Sequence, residues 1–80
     1  MKITVYGSGC DKCKKLFTAA EEAVRQSGVE AELEKVEKAA DIARAGVMFT
    51  PGIAIDGKVK ATGKVPEVEK IVAWIKEAQG

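Results

Sequence analysis

Cys10 and Cys13 are the only cysteines in the chain and stand two residues apart in the stretch "ITVYGSGCDKCKKLF". A C-x-x-C pair admits three uses: disulfide exchange, capture of a soft metal, or a structural staple. In the first two the thiolate is the working species. A helix N-terminus favours it, because backbone N–H groups there lack partners and the helix dipole is positive. The alternating run ends just before Cys10 and a helical pattern starts just after it, so Cys10 is placed at that end as the expected attacker. Cys13 lies one turn inside, near enough to close a disulfide but better shielded, and is the expected resolving thiol. Lys12, Lys14 and Lys15 crowd the same turn against a single acid, Asp11. They favour a nearby thiolate, though only weakly where they point into screening solvent. The chain has no histidine, so no imidazole is available as base or ligand.

The elements that must position the pair can be read from period and punctuation. Residues 2–6, Lys-Ile-Thr-Val-Tyr, alternate and are rich in β-branched and aromatic side chains, which reads as a strand. Gly7 to Gly9 read as a flexible turn. A helix follows from Asp11 or Lys12, with Leu16, Ala20 and Val24 as its apolar stripe, and Gly28 is suited to its left-handed C-terminal position. Residues 29–36, "VEAELEKV", alternate as a second strand whose acidic face, Glu30, Glu32, Glu34 and Glu37, belongs in solvent. A short helix fits residues 38–45, with Ile42 and Ala43 inward. Ile53–Ile55 and Lys58–Ala61 form the arms of a hairpin around Asp56-Gly57, a turn whose two central residues both need positive φ. Pro66 is placed at the first position of a final helix, with Val68, Ile71, Val72 and Ile75 inward and Trp74 partly buried. Met48 and Phe49 are expected in the core or at its rim, or along an apolar groove beside Cys10. The order β-α-β-α-β-β-α gives an α/β fold in one domain of residues 1–80, with a four-stranded mixed sheet buried by helices on both faces.

Composition removes several functions. Thirteen basic against twelve acidic residues leave a formal charge of +1, so no field attracts nucleic acid or an anionic membrane. Four aromatic residues do not make a base-stacking platform. No apolar run reaches the ~20 residues of a membrane span, and "MKITVYGSG" lacks the apolar centre of a signal peptide. A cytoplasmic setting follows, where thiols are kept reduced and disulfides tend to be transient and catalytic.

A second signal is "FTPG", Phe49 to Gly52, ahead of the hairpin; proline is tolerated at the first residue of a strand because its missing N–H need not join the ladder. With "YGSGCDKCKKL", "FTPGIAIDGKV" and "GKVPEVEKI" in view, the chain resembles the thioredoxin superfamily, most of all the compact thioredoxin-like redox-active disulfide proteins of archaea and bacteria. The resemblance covers nearly the whole chain and implies a thioredoxin-like fold. It implies that Cys10 attacks and Cys13 resolves. It also implies that Thr50 presents its backbone to substrate ahead of a cis Pro51. The chain departs from thioredoxins proper in having Gly9 before Cys10 and Asp11-Lys12 between the thiols. It lacks the glutathione motif that follows the proline hairpin in glutaredoxins.

The expected function is therefore thiol–disulfide exchange with protein disulfides, regenerated by an external dithiol reductant. No bound cofactor is implied, and a monomer is expected. The rival reading is a copper carrier, since two thiolates suit Cu(I) and small heavy-metal domains carry a C-x-x-C near their first strand–helix junction. Those domains end in a strand, whereas "PEVEKIVAWIKEAQ" reads as a helix. Structural zinc usually takes four ligands, and one C-x-x-C without histidine supplies two.

Overall fold

The computed structural model describes residues 1–79. Their elements follow the expected order: β1 Lys2–Tyr6, α1 Asp11–Ser27, β2 Glu32–Val36, α2 Ala39–Arg44, β3 Gly52–Ile55, β4 Lys58–Thr62 and α3 Val68–Gln79. The strands form a mixed sheet in the order β2-β1-β3-β4. Strand β1 runs parallel to β2 and antiparallel to β3, and β3 runs antiparallel to β4. Strands β1 and β3 have no free edge, and they carry the burial: Ile3, Thr4 and Val5 of β1 and all of Gly52–Ile55 in β3 are buried.

The period-2 geometry of strands sorts the core into two faces. Ile3 and Val5 of β1 join Ile53 and Ile55 of β3 in one cluster with Leu16, Ala20 and Ala23 of α1 and Ile71 and Ile75 of α3. Helices α1 and α3 therefore share one face of the sheet and pack on each other. The intervening positions, Thr4 and Ala54, are paired across β1 and β3 and buried on the opposite face. There Val47, just after α2, packs against Gly52. Ile42 is the residue of α2 that is buried.

The first helix stops where expected, at Gly28 with φ +69°. The hairpin turn also forms as expected, with Asp56 at φ +50° and Gly57 at φ +85°. Asp56 ties the turn to the start of β1: its carboxylate accepts from the Lys2 N–H at 2.8 Å, and its own N–H donates to the Lys2 carbonyl at 2.8 Å. Strand β4 carries an irregularity, with Ile53 facing Ala61 and Ala54 facing Val59, so that Lys60 is the unpaired extra residue. A bulge and lysines on an edge strand both discourage pairing with another chain.

Four expectations shift. The second strand starts at Glu32 instead of Val29, because the parallel register begins at Lys2 opposite Glu32 and leaves residues 29–31 without a partner. Ala23 replaces Val24 as the fully buried position of α1, and Ala43 is exposed. The last helix begins at Val68, two residues after Pro66, with its first hydrogen bonds accepted by the Glu67 carbonyl. Of the places read for Met48 and Phe49, the core is excluded and the rim remains: they are 85% and 68% exposed. Trp74 is half-buried against the core, as expected.

Ile71 has no exposed surface, so a smaller side chain there leaves a cavity. Ile71→Ala should cost about 2–5 kcal/mol through lost burial and the cavity left behind. Urea unfolding monitored by circular dichroism measures this. Ala43→Ser, on the exposed side of α2, should change stability by less than ~0.5 kcal/mol.

Candidate active site

Strand β1 ends at Tyr6 and helix α1 begins at Asp11, and the four-residue connection delivers Cys10 to the N-cap of α1. Cys10 is extended, at φ −91° and ψ 155°, and its carbonyl accepts the first helical bond from Lys14 at 3.1 Å. Its sulfur accepts a hydrogen bond from the Cys13 N–H at 3.1 Å. This is the ordinary N-cap arrangement with sulfur in the place of a side-chain oxygen. The same donor and the positive end of a 17-residue helix stabilise negative charge on that sulfur.

Cys10 and Cys13 are joined as a disulfide, with their Cα atoms 5.1 Å apart. The two sulfurs differ in surroundings. Cys10 is exposed, whereas Cys13 is 2% exposed and heads the buried stripe of α1 that continues through Leu16, Ala20 and Ala23. The amphipathic pattern of α1 thus sets which cysteine meets solvent. Lys12, Lys14 and Lys15 are all exposed, so their field reaches the thiols through screening solvent.

The second half of the site arrives on β3, which runs antiparallel to β1 and starts where β1 ends, with Gly52 opposite Tyr6. The Thr50–Pro51 peptide bond preceding it is cis. Pro51 is fully buried and Thr50 is exposed. The Pro51 carbonyl accepts from the Gly63 N–H at 2.8 Å, which fastens this loop to the end of β4. Thr50 and Ser8 line one cleft of about 540 Å³ with Ile42, Val47 and Met48. The structure therefore brings all four residues singled out in the sequence, Cys10, Cys13, Thr50 and Pro51, to the same end of the sheet.

One residue of the site escaped sequence reasoning. Gly7 belongs to a stretch that reads as a flexible turn, yet it is buried and donates its N–H to the Val36 carbonyl at 2.9 Å. It separates Cys13 from Thr50: a Cβ at this position would stand 2.5 Å from Cys13 Sγ and 3.5 Å from Thr50 Cβ. Its signal in the sequence was its place directly after the last strand residue, where the ladder still demands a hydrogen bond. Two surface ion pairs away from the site displace the titration of Lys2 in one and of Glu22 and Arg25 in the other. Lys2, at the far end of β1, is held up by its hydrogen bond and charge pairing with Glu34. Glu22, near the other end of α1, is held down by hydrogen bonds from Arg25 and Gln26.

A mixed sheet covered by helices, with a C-x-x-C disulfide at the N-terminus of the first helix, defines the thioredoxin-fold class of dithiol–disulfide proteins. The thioredoxin domain family model matches residues 1–76, and the chain belongs to that family. It is 44% identical over 71 residues to a thioredoxin of Methanothermobacter thermautotrophicus, covering 89% of this chain and 92% of that protein. It is 38% identical over 74 residues to a thioredoxin of Methanocaldococcus jannaschii, covering 92% of this chain and 85% of that one. A solved thioredoxin-2, described as a component of malaria parasite protein secretion machinery, shares the fold. Its TM-score is 0.71 over 95% of this chain and 81% of its own, at 22% identity. The chain is a thiol–disulfide oxidoreductase. The copper-carrier alternative is not favoured, and the chain's last described element is the helix α3, not a strand.

The unequal burial of the two sulfurs is open to a direct test. After reduction, Cys10 should react with iodoacetamide at least tenfold faster than Cys13, read by quenched mass spectrometry. Unfolding the protein should bring the two rates together.

Proposed function

We propose that this chain reduces disulfides of other proteins, with Cys10 as nucleophile, Cys13 as resolving thiol, and the Thr50–Pro51 segment as the docking surface for substrate backbone. The observation that carries the reading is the exposed Cys10 residue at a helix N-terminus paired with a buried Cys13. An attacking thiol must reach a disulfide on another molecule, whereas a resolving thiol must reach only its neighbour.

The Cys10 thiolate attacks one sulfur of a substrate disulfide. That S–S bond breaks, a Cys10–substrate disulfide forms, and the departing thiolate takes up a proton. Cys13 then loses its proton and attacks Cys10 Sγ. The mixed disulfide breaks, the second substrate thiolate leaves and is protonated, and the Cys10–Cys13 bond closes. Two electrons and two protons have passed to the substrate. An external dithiol returns the pair to the reduced state by the same exchange in reverse.

Substrate docks across the cysteines, where Thr50 is exposed. Met48 and Phe49 flank the same loop as an exposed apolar rim, which suits the unfolded or extended segments in which a disulfide is accessible. Among the described residues no helix is long and apolar enough to cross a membrane. The setting we assign is the cytoplasm, because a reducing compartment maintains the dithiol. The 80 residues act as one domain and as a monomer.

Redox titration of the Cys10–Cys13 pair, read by thiol alkylation under metal-free conditions, tests the reading. A reversible midpoint of roughly −180 to −300 mV is expected for an exchange catalyst. A pair that never closes, or closes and resists reduction, would overturn it. Two variants test the division of labour. Cys10→Ser should abolish disulfide reduction, and Cys13→Ser should accumulate a mixed disulfide visible on non-reducing gels. Pro51→Ala should raise KM for a protein disulfide several-fold while leaving reduction of a small aromatic disulfide within about twofold. Equal losses on both substrates would remove the docking role.

A further inference from the structure

Gly7 is buried directly behind the disulfide, and its backbone leaves it no freedom to move away. Its N–H is committed to Val36 across the sheet at 2.9 Å, so the peptide is held as an extension of the β1–β2 ladder. A side chain here would find its Cβ 2.5 Å from Cys13 Sγ and 3.3 Å from Cys13 Cβ. Non-bonded atoms of this size settle at about 3.5–4.0 Å, so the sulfur occupies space that is free only because residue 7 has no Cβ. Cys13 is 2% exposed, and while its sulfur is bonded to Cys10 it cannot turn away from such a contact.

The two redox states differ in how firmly they need that space. In the disulfide, Cys13 Sγ is bonded to Cys10 Sγ, and Cys10 is fixed as the N-cap of α1. The sulfur has one seat. In the dithiol that bond is gone, and rotation about the Cys13 side chain lets the sulfur move off the residue-7 contact. A group added at position 7 thus acts against the disulfide more than against the dithiol.

We propose that Gly7 is a positioning residue for the resolving thiol: it leaves open the seat that Cys13 Sγ takes when the disulfide closes, and thereby holds the equilibrium toward the closed form. The proposal rests on the thiol–disulfide reading above. Closure converts two thiols into one S–S bond and passes two electrons and two protons to an oxidant. In the test that oxidant is oxidised dithiothreitol, which opens its own ring disulfide as it is reduced.

The experiment is a titration of wild-type protein, Gly7→Ala and Gly28→Ala against the dithiothreitol couple, with unfolding of each measured in both redox states. Gly7→Ala should lower the closure equilibrium constant at least tenfold, which raises the midpoint by about 30 mV for a two-electron couple. Correspondingly, its oxidised form should lose more stability than its reduced form. The cost of placing alanine at φ +142° falls on both forms and cancels from the midpoint. Gly28→Ala is the control, because it has φ +69° and no neighbouring atom within 4 Å of the added methyl. It should weaken both forms equally and leave the midpoint unchanged. An unchanged or lowered midpoint for Gly7→Ala, with a reversible wild-type titration, overturns this role of Gly7 while the exchange activity stands. A wild-type pair that does not titrate overturns both. Should Gly7→Ala not fold, removal of the sulfur in Gly7→Ala/Cys13→Ala should restore folding, and a double variant that also stays unfolded overturns the proposal.

Discussion

The structure depends on one constraint: a single helical turn must carry one sulfur at the surface and the next in the core. Cys10 at the N-cap and Cys13 in the first turn are joined across that boundary. The condition is met because Cys13 begins the same apolar stripe as Leu16, Ala20 and Ala23, all of them buried. The hydrophobic burial of α1 therefore does more than stabilise the fold. It fixes the rotation of the helix, and that rotation decides which thiol meets solvent. Full burial of a side chain such as Leu16 contributes about 1.5–3 kcal/mol, and with the smaller Ala20 and Ala23 it opposes any rotation that would bring Cys13 out.

The sheet supplies the other half of the geometry. Strand β1 is hydrogen-bonded on both sides, and the loops that end β1 and precede β3 lie next to each other because the two strands are antiparallel. The Cys10 loop and the Thr50–Pro51 loop meet for this reason alone, although they are far apart in the chain. Gly7 sits where they converge, and a Cβ added there would meet both Cys13 and Thr50. The Pro51 carbonyl is fixed in turn by the Gly63 N–H, so the site is framed by the ends of three neighbouring strands.

Charge is secondary to this frame. The ion pairs Lys2–Glu34, Arg25–Glu22, Lys35–Glu37 and Arg44–Asp41 all lie on the surface, where solvent screening and side-chain entropy leave little net stabilisation. Lys35 also stands 5.5 Å from the centre of the Phe17 ring and links β2 to α1, a contact of about 0.5–1 kcal/mol at an exposed site. No side-chain nitrogen or oxygen is buried without a hydrogen-bond partner among the described residues. A domain of this size holds a small core, and it keeps that core free of unpaired polar groups. Its exposed apolar surface at Met48 and Phe49 stands out against that economy.

The order of elements, the place of Cys10 and Cys13 at a strand–helix junction, the Gly28 stop and the Asp56-Gly57 turn were all legible in the sequence. Each rests on local chemistry: periodicity, the conformational freedom of a turn residue, or the position of a thiol relative to a helix end. The tertiary structure decided what depends on partners. The second strand lost residues 29–31 because a parallel ladder extends only as far as β1 offers groups to bond. Ala23 took the buried place read for Val24, since the face of α1 is set by where α3 packs. Met48 and Phe49 are apolar by composition but lie on a loop that the sheet holds out in solvent. The place of Gly7 directly after β1 marked its backbone bond but not its part in the site, which is the space it leaves for a sulfur six residues away, and only the folded chain brings the two together.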